Sequence, residues 1–182
     1  MDTVDPIIGH LCRGSLALLW FNSSLGKLRA FDDHRKAIAR YELLPDFLIP
    51  PFARLLPLIE FSTGIGLLLV DAVAFASISL LAIYSIAIAI NLRRGRRDLD
   101  CGCGGPTLRQ GLSEGLIIRN AALAVASGVV LLPSGNRALG WADGFTIVFG
   151  VLLMTLIYAS GNQLLAVSNR AGAIGLRPAG EG

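Results

Sequence analysis

Two cysteines separated by a single glycine are the residues of this chain best suited to do chemistry. Cys101 and Cys103 are two of the three cysteines in the 182-residue sequence, and they lie in the glycine-rich run "DCGCGGP". A disulfide that closes across one residue needs unusual backbone torsions, which glycine permits, and the resulting bond is strained and easily reduced. Because strained, exposed disulfides are the labile and catalytic ones, the spacing favours thiol–disulfide exchange.

Two other interpretations of the cysteine pair stay open. The pair supplies half of a tetrahedral zinc shell. His34 is one further candidate ligand on the same face of the predicted membrane topology, but the sequence has no second cysteine pair. We therefore expect no metal site. In the remaining interpretation the glycines form a tight turn and the cysteines are small structural residues.

The rest of the sequence has the composition of a membrane protein. Hydrophobic residues make up 53% of the chain and charged residues 16%, and the mean hydropathy is +0.63. A helix needs about 20 apolar residues to cross about 30 Å of hydrocarbon, and windows of that length recur along the chain. We therefore predict an all-α polytopic membrane bundle, with one transmembrane helical domain over residues 1–170 and a disordered tail over 171–182.

Five apolar segments are the candidate spans of this bundle. They cover roughly residues 7–26, 52–70, 73–92, 116–132 and 145–167. Only two residues separate the second span from the third, so these two are expected to form a helical hairpin. An odd number of spans places the chain termini on opposite faces of the membrane.

A short amphipathic segment connects the first two spans. Phe31, Ile38, Tyr41 and Leu44 recur there at helical spacing among charged residues. The pattern predicts a short interfacial helix that ends at Pro45.

Lysine and arginine are concentrated on one face of this topology. Twelve of the 16 lie in the loop after the first span, in the loop after the third span or in the C-terminal tail. They are Lys27, Arg29, Arg35, Lys36, Arg40, Arg93, Arg94, Arg96, Arg97, Arg109, Arg170 and Arg177. The opposite loops carry Arg137 alone. By the positive-inside rule the basic face is cytoplasmic, in a multi-pass protein of the bacterial inner membrane. Topology and contact with membrane lipid account for the net charge of +3, so we predict no nucleic-acid partner.

Polar residues inside the predicted spans need partners, because an unpaired charge in hydrocarbon is costly. Glu60 lies near the middle of the second span, and Arg13 in the first span is its expected partner in an intramembrane polar pair.

Four further polar or thiol residues are candidate site residues. Asn91, Arg119 and Asn120 lie towards the basic face, where we expect them to bound the same cavity as the cysteine loop. Cys12 lies near the other end of the first span, as a packing residue or as a second redox group.

Several motifs in a fixed order resemble the MauE family of methylamine utilisation proteins, within the wider DoxX-like group. They are "LCRGSLALLWFNSSLGKL", "FDDHRKAIARYELLP", "LPLIEFSTGIGLLL", "NLRRGRRDLDCGCGG" and "IIRNAALA". The resemblance implies a four-helix DoxX-like core. It also marks a set of positions in this sequence: Arg13, Lys27, Tyr41, Pro45, Glu60, Cys101, Cys103, Arg119 and Asn120.

The resemblance further implies an accessory role in maturing the small subunit of methylamine dehydrogenase, by disulfide formation, isomerisation or export. The implied partner is a MauD-type thioredoxin-like protein, with Cys101 and Cys103 as the exchanging thiols. The implied client folds in the periplasm, whereas the charge bias places the cysteine loop in the cytoplasm. Either the charge bias misleads or electrons cross the membrane, and in the second case Cys12 becomes a candidate relay.

Two alternative functions are kept beside this accessory role. One is a quinone-linked thiol oxidoreductase, with the quinone, as its cofactor, held near Asn91 and Arg119. The other is a membrane scaffold that docks its partners without catalysis. The main hypothesis needs no resident cofactor and describes a maturation factor rather than a stand-alone enzyme.

Overall fold

The computed structural model of the chain describes residues 4–97, 99, 111–135 and 137–175, with side chains described as far as Val167. Six α-helices make up nearly all of this part of the chain. They are α1 (Pro6–Arg29), α2 (Phe31–Tyr41), α3 (Ile49–Leu69), α4 (Ala74–Arg93), α5 (Glu114–Val130) and α6 (Trp141–Gly175). The described residues contain no β-strand, and Val4 and Ser134 form an isolated bridge.

Local sequence signals explain where the first two helices begin and end. The Asp5 side chain accepts a hydrogen bond of 2.9 Å from the Ile7 amide, and Pro6 occupies the first turn of α1, where its missing N–H costs nothing. Helix α2 ends at Tyr41, because Glu42 adopts a left-handed conformation with a φ of 50°. The predicted short helix after the first span is therefore present, and it ends before Pro45.

The hairpin predicted between the second and third spans is formed by α3 and α4. Helix α3 ends at Leu69, and a single 3₁₀ turn, Asp71–Val73, leads into α4. We call this end of the bundle the tip, and the opposite end, where α4 finishes at Arg93, the basic end.

Two antiparallel helix pairs form the core. Helix α1 packs along α3, where the Ser24 hydroxyl donates to the Pro57 carbonyl at 2.8 Å. Helix α4 packs along α5, where the Ser77 and Ser127 hydroxyls are 3.0 Å apart. Most of the main apolar cluster lies in the half of the bundle nearer the tip. Its buried members are Leu16, Trp20, Leu56, Leu67, Ala74, Leu80, Leu81 and Val130.

Helix α6 lies on the outside of this four-helix core. It contacts α1 closely, since a Cβ added at Gly14 would lie 2.8 Å from a methyl carbon of Val151. Large apolar side chains cover its outer surface, among them Phe145, Phe149 and Leu156, which are 59%, 65% and 65% exposed. Such a surface is suited to lipid and not to water.

Three helical segments of the described chain are long and apolar enough to cross a membrane: Asp46–Leu69, Asp71–Arg93 and Trp141–Val167. The predicted spans 52–70, 73–92 and 145–167 correspond to these segments. The other two predicted spans correspond to α1 and α5. Helix α5 has only 17 residues, and α1 carries several charged side chains, so membrane crossing by these two helices stays a prediction. The chain is an all-α membrane helical bundle, as the sequence predicts.

Candidate functional site

The cysteine pair lies outside the described residues, but both flanks of its segment are described. Leu99 and Leu112 are buried in one apolar cluster with Ile88 and Leu116. The Leu112 amide donates to the carbonyl oxygens of both Arg97 and Leu99, each at 3.1 Å. The two ends of the segment that carries Cys101 and Cys103 are therefore held together at the basic end.

Ion pairs reinforce these flanks on the outside. The Arg97 guanidinium donates two hydrogen bonds to the Glu114 carboxylate, at 2.6 and 3.1 Å, and thereby lowers the pKa of Glu114. Arg96 donates to Glu42 at 2.6 Å and lowers the pKa of that carboxyl group. The Arg97–Glu114 pair joins the residues after α4 to the start of α5. The Arg96–Glu42 pair joins the same residues to the end of α2.

Glu60 lies at the centre of a buried polar cluster, but its cationic partner is Lys27. The Glu60 carboxylate is fully buried; it forms an ion pair with the Lys27 ammonium group and accepts a hydrogen bond from the Tyr84 hydroxyl. The Lys27 ammonium also donates to the Tyr84 oxygen at 2.9 Å, and the Ser23 hydroxyl lies 3.3 Å from both carboxylate oxygens. We call Lys27, Glu60 and Tyr84 the buried triad.

Arg13 does not contact Glu60, so the predicted pair is wrong. Arg13 forms an ion pair with Asp71 at the tip. The reason is helix register: in the antiparallel packing of α1 on α3, Ser24 meets Pro57 and Lys27 meets Glu60, so Arg13 lies several turns nearer the tip. At 1.5 Å per residue, the 14 residues from Arg13 to Lys27 correspond to about 21 Å.

The surroundings of Arg13 include a cavity on the outside of the core. Its volume is about 290 Å³ and its lining is mostly apolar: His10, Arg13, Gly14, Leu68, Leu139 and Ile147. The cavity is near the tip, far from the flanks of the cysteine segment.

Asn91, Arg119 and Asn120 lie in the half of the bundle nearer the basic end, as the sequence indicates. Asn91 is fully buried and donates to the Ala87 carbonyl at 3.1 Å. The Arg119 guanidinium donates twice to the Asn120 side-chain oxygen and once to Asn162 of α6 at 3.0 Å. The contacts between Ser77 and Ser127 and between Ile88 and Leu116 fix the register of α4 on α5. This register places Asn120 level with Tyr84, and Asn91 about two turns closer to the basic end.

His34, which the sequence suggests only as a possible metal ligand, is buried. It lies on the inner face of α2 with 7% of its surface exposed. Burial and the positive charge of Lys27 lower the pKa of His34 to about 4, so its imidazole is neutral at physiological pH. The sequence contains a signal for this burial, because His34 falls between Phe31 and Ile38 on the apolar side of α2. No group of three His, Cys, Asp or Glu residues in the described ranges is arranged to hold a metal ion.

Cys12 lies in α1 near the tip. Its thiol is half-buried and packs against the main apolar cluster. Leu99 and Leu112 lie at the other end of the bundle, separated from the tip by the 20 residues of α4, or about 30 Å.

Comparison with known proteins identifies relatives over most of the chain. The family model described as methylamine utilisation protein MauE matches residues 5–133. The methylamine utilization protein MauE of Methylorubrum extorquens is 35% identical over 166 residues, which cover 89% of each chain. The MauE proteins of Paracoccus denitrificans and Methylophilus methylotrophus are 33% and 31% identical, over 91% and 88% of this chain and 91% and 87% of theirs. No solved structure matches this chain.

Proposed function

Because the chain belongs to the MauE family of methylamine utilisation proteins, we propose that it is an inner-membrane accessory factor that matures the small subunit of methylamine dehydrogenase. In this role it exchanges disulfides with a thioredoxin-like protein through Cys101 and Cys103. The observation that carries the proposal is the family match over residues 5–133, since this range contains both cysteines and the buried triad.

The proposed chemistry is a two-step thiol–disulfide exchange. The Cys101 thiolate attacks a disulfide of the thioredoxin-like protein, which forms a mixed disulfide and releases one partner thiolate. The Cys103 thiolate then attacks the mixed disulfide, which forms the Cys101–Cys103 bond and releases the second partner thiolate. Two electrons pass from the cysteine pair to the partner, and the reverse sequence transfers an oxidising equivalent to the partner.

The described flanks support this chemistry in two ways. The hydrogen bonds from Leu112 hold the ends of the cysteine segment at a fixed place at the basic end, as a segment that presents two thiols to a partner requires. The arginines next to the cysteines in sequence, Arg96 and Arg97, are each paired with a carboxylate. We assign these arginines the role of holding the flanks. The strain of a disulfide across one residue would raise its reduction potential, which favours transfer of an oxidising equivalent to the partner.

The test is maturation in cells that depend on this chain for growth on methylamine. We expect the double variant Cys101→Ser/Cys103→Ser to lose mature small subunit, measured as disulfide-bonded protein in periplasmic extracts. Cys12→Ser is the matched control and should retain maturation, because the proposed exchange does not use this thiol. The single variant Cys103→Ser should accumulate the mixed disulfide, visible as a reductant-sensitive band on a non-reducing gel.

Undiminished maturation in the double variant would exclude thiol chemistry. Only a docking role would then remain, and co-purification of the thioredoxin-like partner with the double variant would test that role directly.

A further inference from the structure

Three deeply buried side chains towards the basic end carry polar atoms without a hydrogen-bond partner in the part of the chain that the structure describes. His34, Asn91 and Asn120 are 7%, 0% and 2% exposed. Among the described residues, His34 Nε2, Asn91 Oδ1 and Asn120 Nδ2 have no hydrogen-bond partner. Buried polar atoms in native proteins nearly always have partners, and in hydrocarbon the cost of leaving them unsatisfied is high.

The three residues lie at the level of the buried triad or closer to the basic end. His34 lies close enough to Lys27 for the Lys27 charge to lower the pKa of the imidazole. Asn120 is level with Tyr84 in the register of α4 on α5, and Asn91 lies further towards the basic end. Together with the triad, these polar groups cover the depth from the middle of the bundle to about the level of Leu99 and Leu112, and we call this set the polar column.

The half of the bundle nearer the tip has a different character. Leu16, Trp20 and Leu67 are almost completely buried there among other apolar side chains. The polar atoms of this core satisfy one another, because the Trp20 indole donates to Ser77 at 3.0 Å and Ser77 contacts Ser127. Two further unpartnered atoms of the described chain, Arg13 Nε and Ser15 Oγ, lie on α1 on the tip side of the triad. Leu16 and Trp20 of the apolar cluster lie on α1 between these two residues and Lys27, so the cluster separates the polar column from the tip.

We propose that water occupies the polar column from the basic end as far as the Lys27–Glu60–Tyr84 triad, and that the triad exchanges protons with this face of the membrane only. Each proton that the Lys27 ammonium releases to water is replaced by one from water, so the ion pair keeps its net charge. Buried waters typically make about three hydrogen bonds to otherwise unsatisfied groups, and the unsatisfied atoms here include a donor, Asn120 Nδ2, and an acceptor, Asn91 Oδ1. The inference does not depend on the thiol chemistry proposed above.

Single-cysteine labelling in vesicles of known orientation tests the proposal. In a full-length chain whose native cysteines are replaced by serine, we expect Asn120→Cys to react with a small, charged, membrane-impermeant thiosulfonate applied from the basic side, and to be protected from the tip side. Val125→Cys on the same helix is the lipid-facing control, since Val125 is 70% exposed on the outside of the bundle. Ser127→Cys is the control for the apolar half, and both controls should be protected from either side.

Asn120→Cys that stays unreactive from the basic side, or that reacts from the tip side, would overturn the proposal.

A second measurement uses the unaltered chain, in case the cysteine variants do not fold. Radiolytic hydroxyl-radical footprinting oxidises side chains beside internal water, so we expect His34 to be modified while the intrinsically more reactive Trp20 is protected. Equal protection of the two side chains would contradict a water-filled column. Either result leaves the maturation assay unaffected, so the two proposals fail separately.

Discussion

Lys27 and Glu60 form the most deeply buried charge pair of the described chain, with 5% and 0% of their side chains exposed. Charges of this kind tolerate burial only when they are paired and hydrogen-bonded, and here Tyr84 and Ser23 supply the additional polar contacts. The pair also fixes one register of α1 against α3, because a shift by one turn would leave both charges unpaired. At the scale of residues, the triad is therefore both a structural clasp and the inner end of the polar column.

The first prediction concerns the loss of one charge of this pair. Lys27→Met leaves the Glu60 carboxylate buried without its counter-ion, which we expect to cost about 3–5 kcal/mol in the free energy of unfolding. The double variant Lys27→Met/Glu60→Gln removes both charges and should recover most of this loss. The measurement is unfolding in mixed micelles with increasing fractions of a denaturing detergent. Lys36→Met, on the exposed face of α2, is the control and should change stability little; equal stability of the Lys27 and Lys36 variants would contradict the role of the pair.

The sequence identifies Glu60 as a buried charge but not its cation. The predicted first span ends at Gly26, which places Lys27 outside the membrane, whereas α1 continues to Arg29. The depth of a residue on a helix can be read from sequence only to within a turn or two, because the register between two helices is set by packing. Here that packing depends on close contacts, such as those of Gly64, that no periodicity reveals.

Glycine determines how closely the two core helices α1 and α3 approach. A Cβ built at Gly64 would lie 2.8 Å from a ring carbon of Phe21 and 3.3 Å from the Ala17 carbonyl oxygen. Gly128 of α5 is different, because a Cβ at that position would meet nothing within 4 Å. At the scale of elements, one helix glycine is required for packing and the other is free to change.

The second prediction compares the same substitution at these two glycines. Gly64→Ala should destabilise the bundle by about 1–3 kcal/mol, since the added methyl group overpacks the α1–α3 contact. Gly128→Ala gains helix propensity worth up to about 1 kcal/mol and meets no neighbour, so it should be neutral or stabilising. The same detergent unfolding experiment measures both variants. Because the chemical change is identical, the difference between them isolates the packing contact, and a Gly64→Ala variant as stable as Gly128→Ala would exclude it.

Unpaired positive charge distinguishes the two ends of the whole molecule. At the tip, Arg13 is paired with Asp71 and Arg137 with Asp143. At the basic end, within the described ranges, no ion pair involves a group of exposed cations, namely Arg29, Arg35, Lys36, Arg40, Arg54 and Arg93. The antiparallel packing of the helices brings these residues, which are scattered in sequence, to one end. The positive-inside rule then favours a cytoplasmic basic end.

The third prediction tests this orientation with a matched pair of single cysteines in a chain whose native cysteines are replaced by serine. Ala72→Cys is exposed at the tip and Ala39→Cys is exposed on α2 at the basic end, so neither change alters the core. An impermeant thiol reagent should label Ala72→Cys in intact cells and Ala39→Cys only after the inner membrane is permeabilised.

The reverse pattern would place the flanks of the cysteine segment in the periplasm, beside the proposed client, and exchange would need no transfer of electrons across the membrane. With the expected pattern, the client and the segment that carries Cys101 and Cys103 lie on opposite faces. A second redox group near the tip would then be required. Retained maturation in Cys12→Ser, as expected above, would assign that group to a partner protein, whereas lost maturation would assign it to Cys12, the one thiol that the described chain places there.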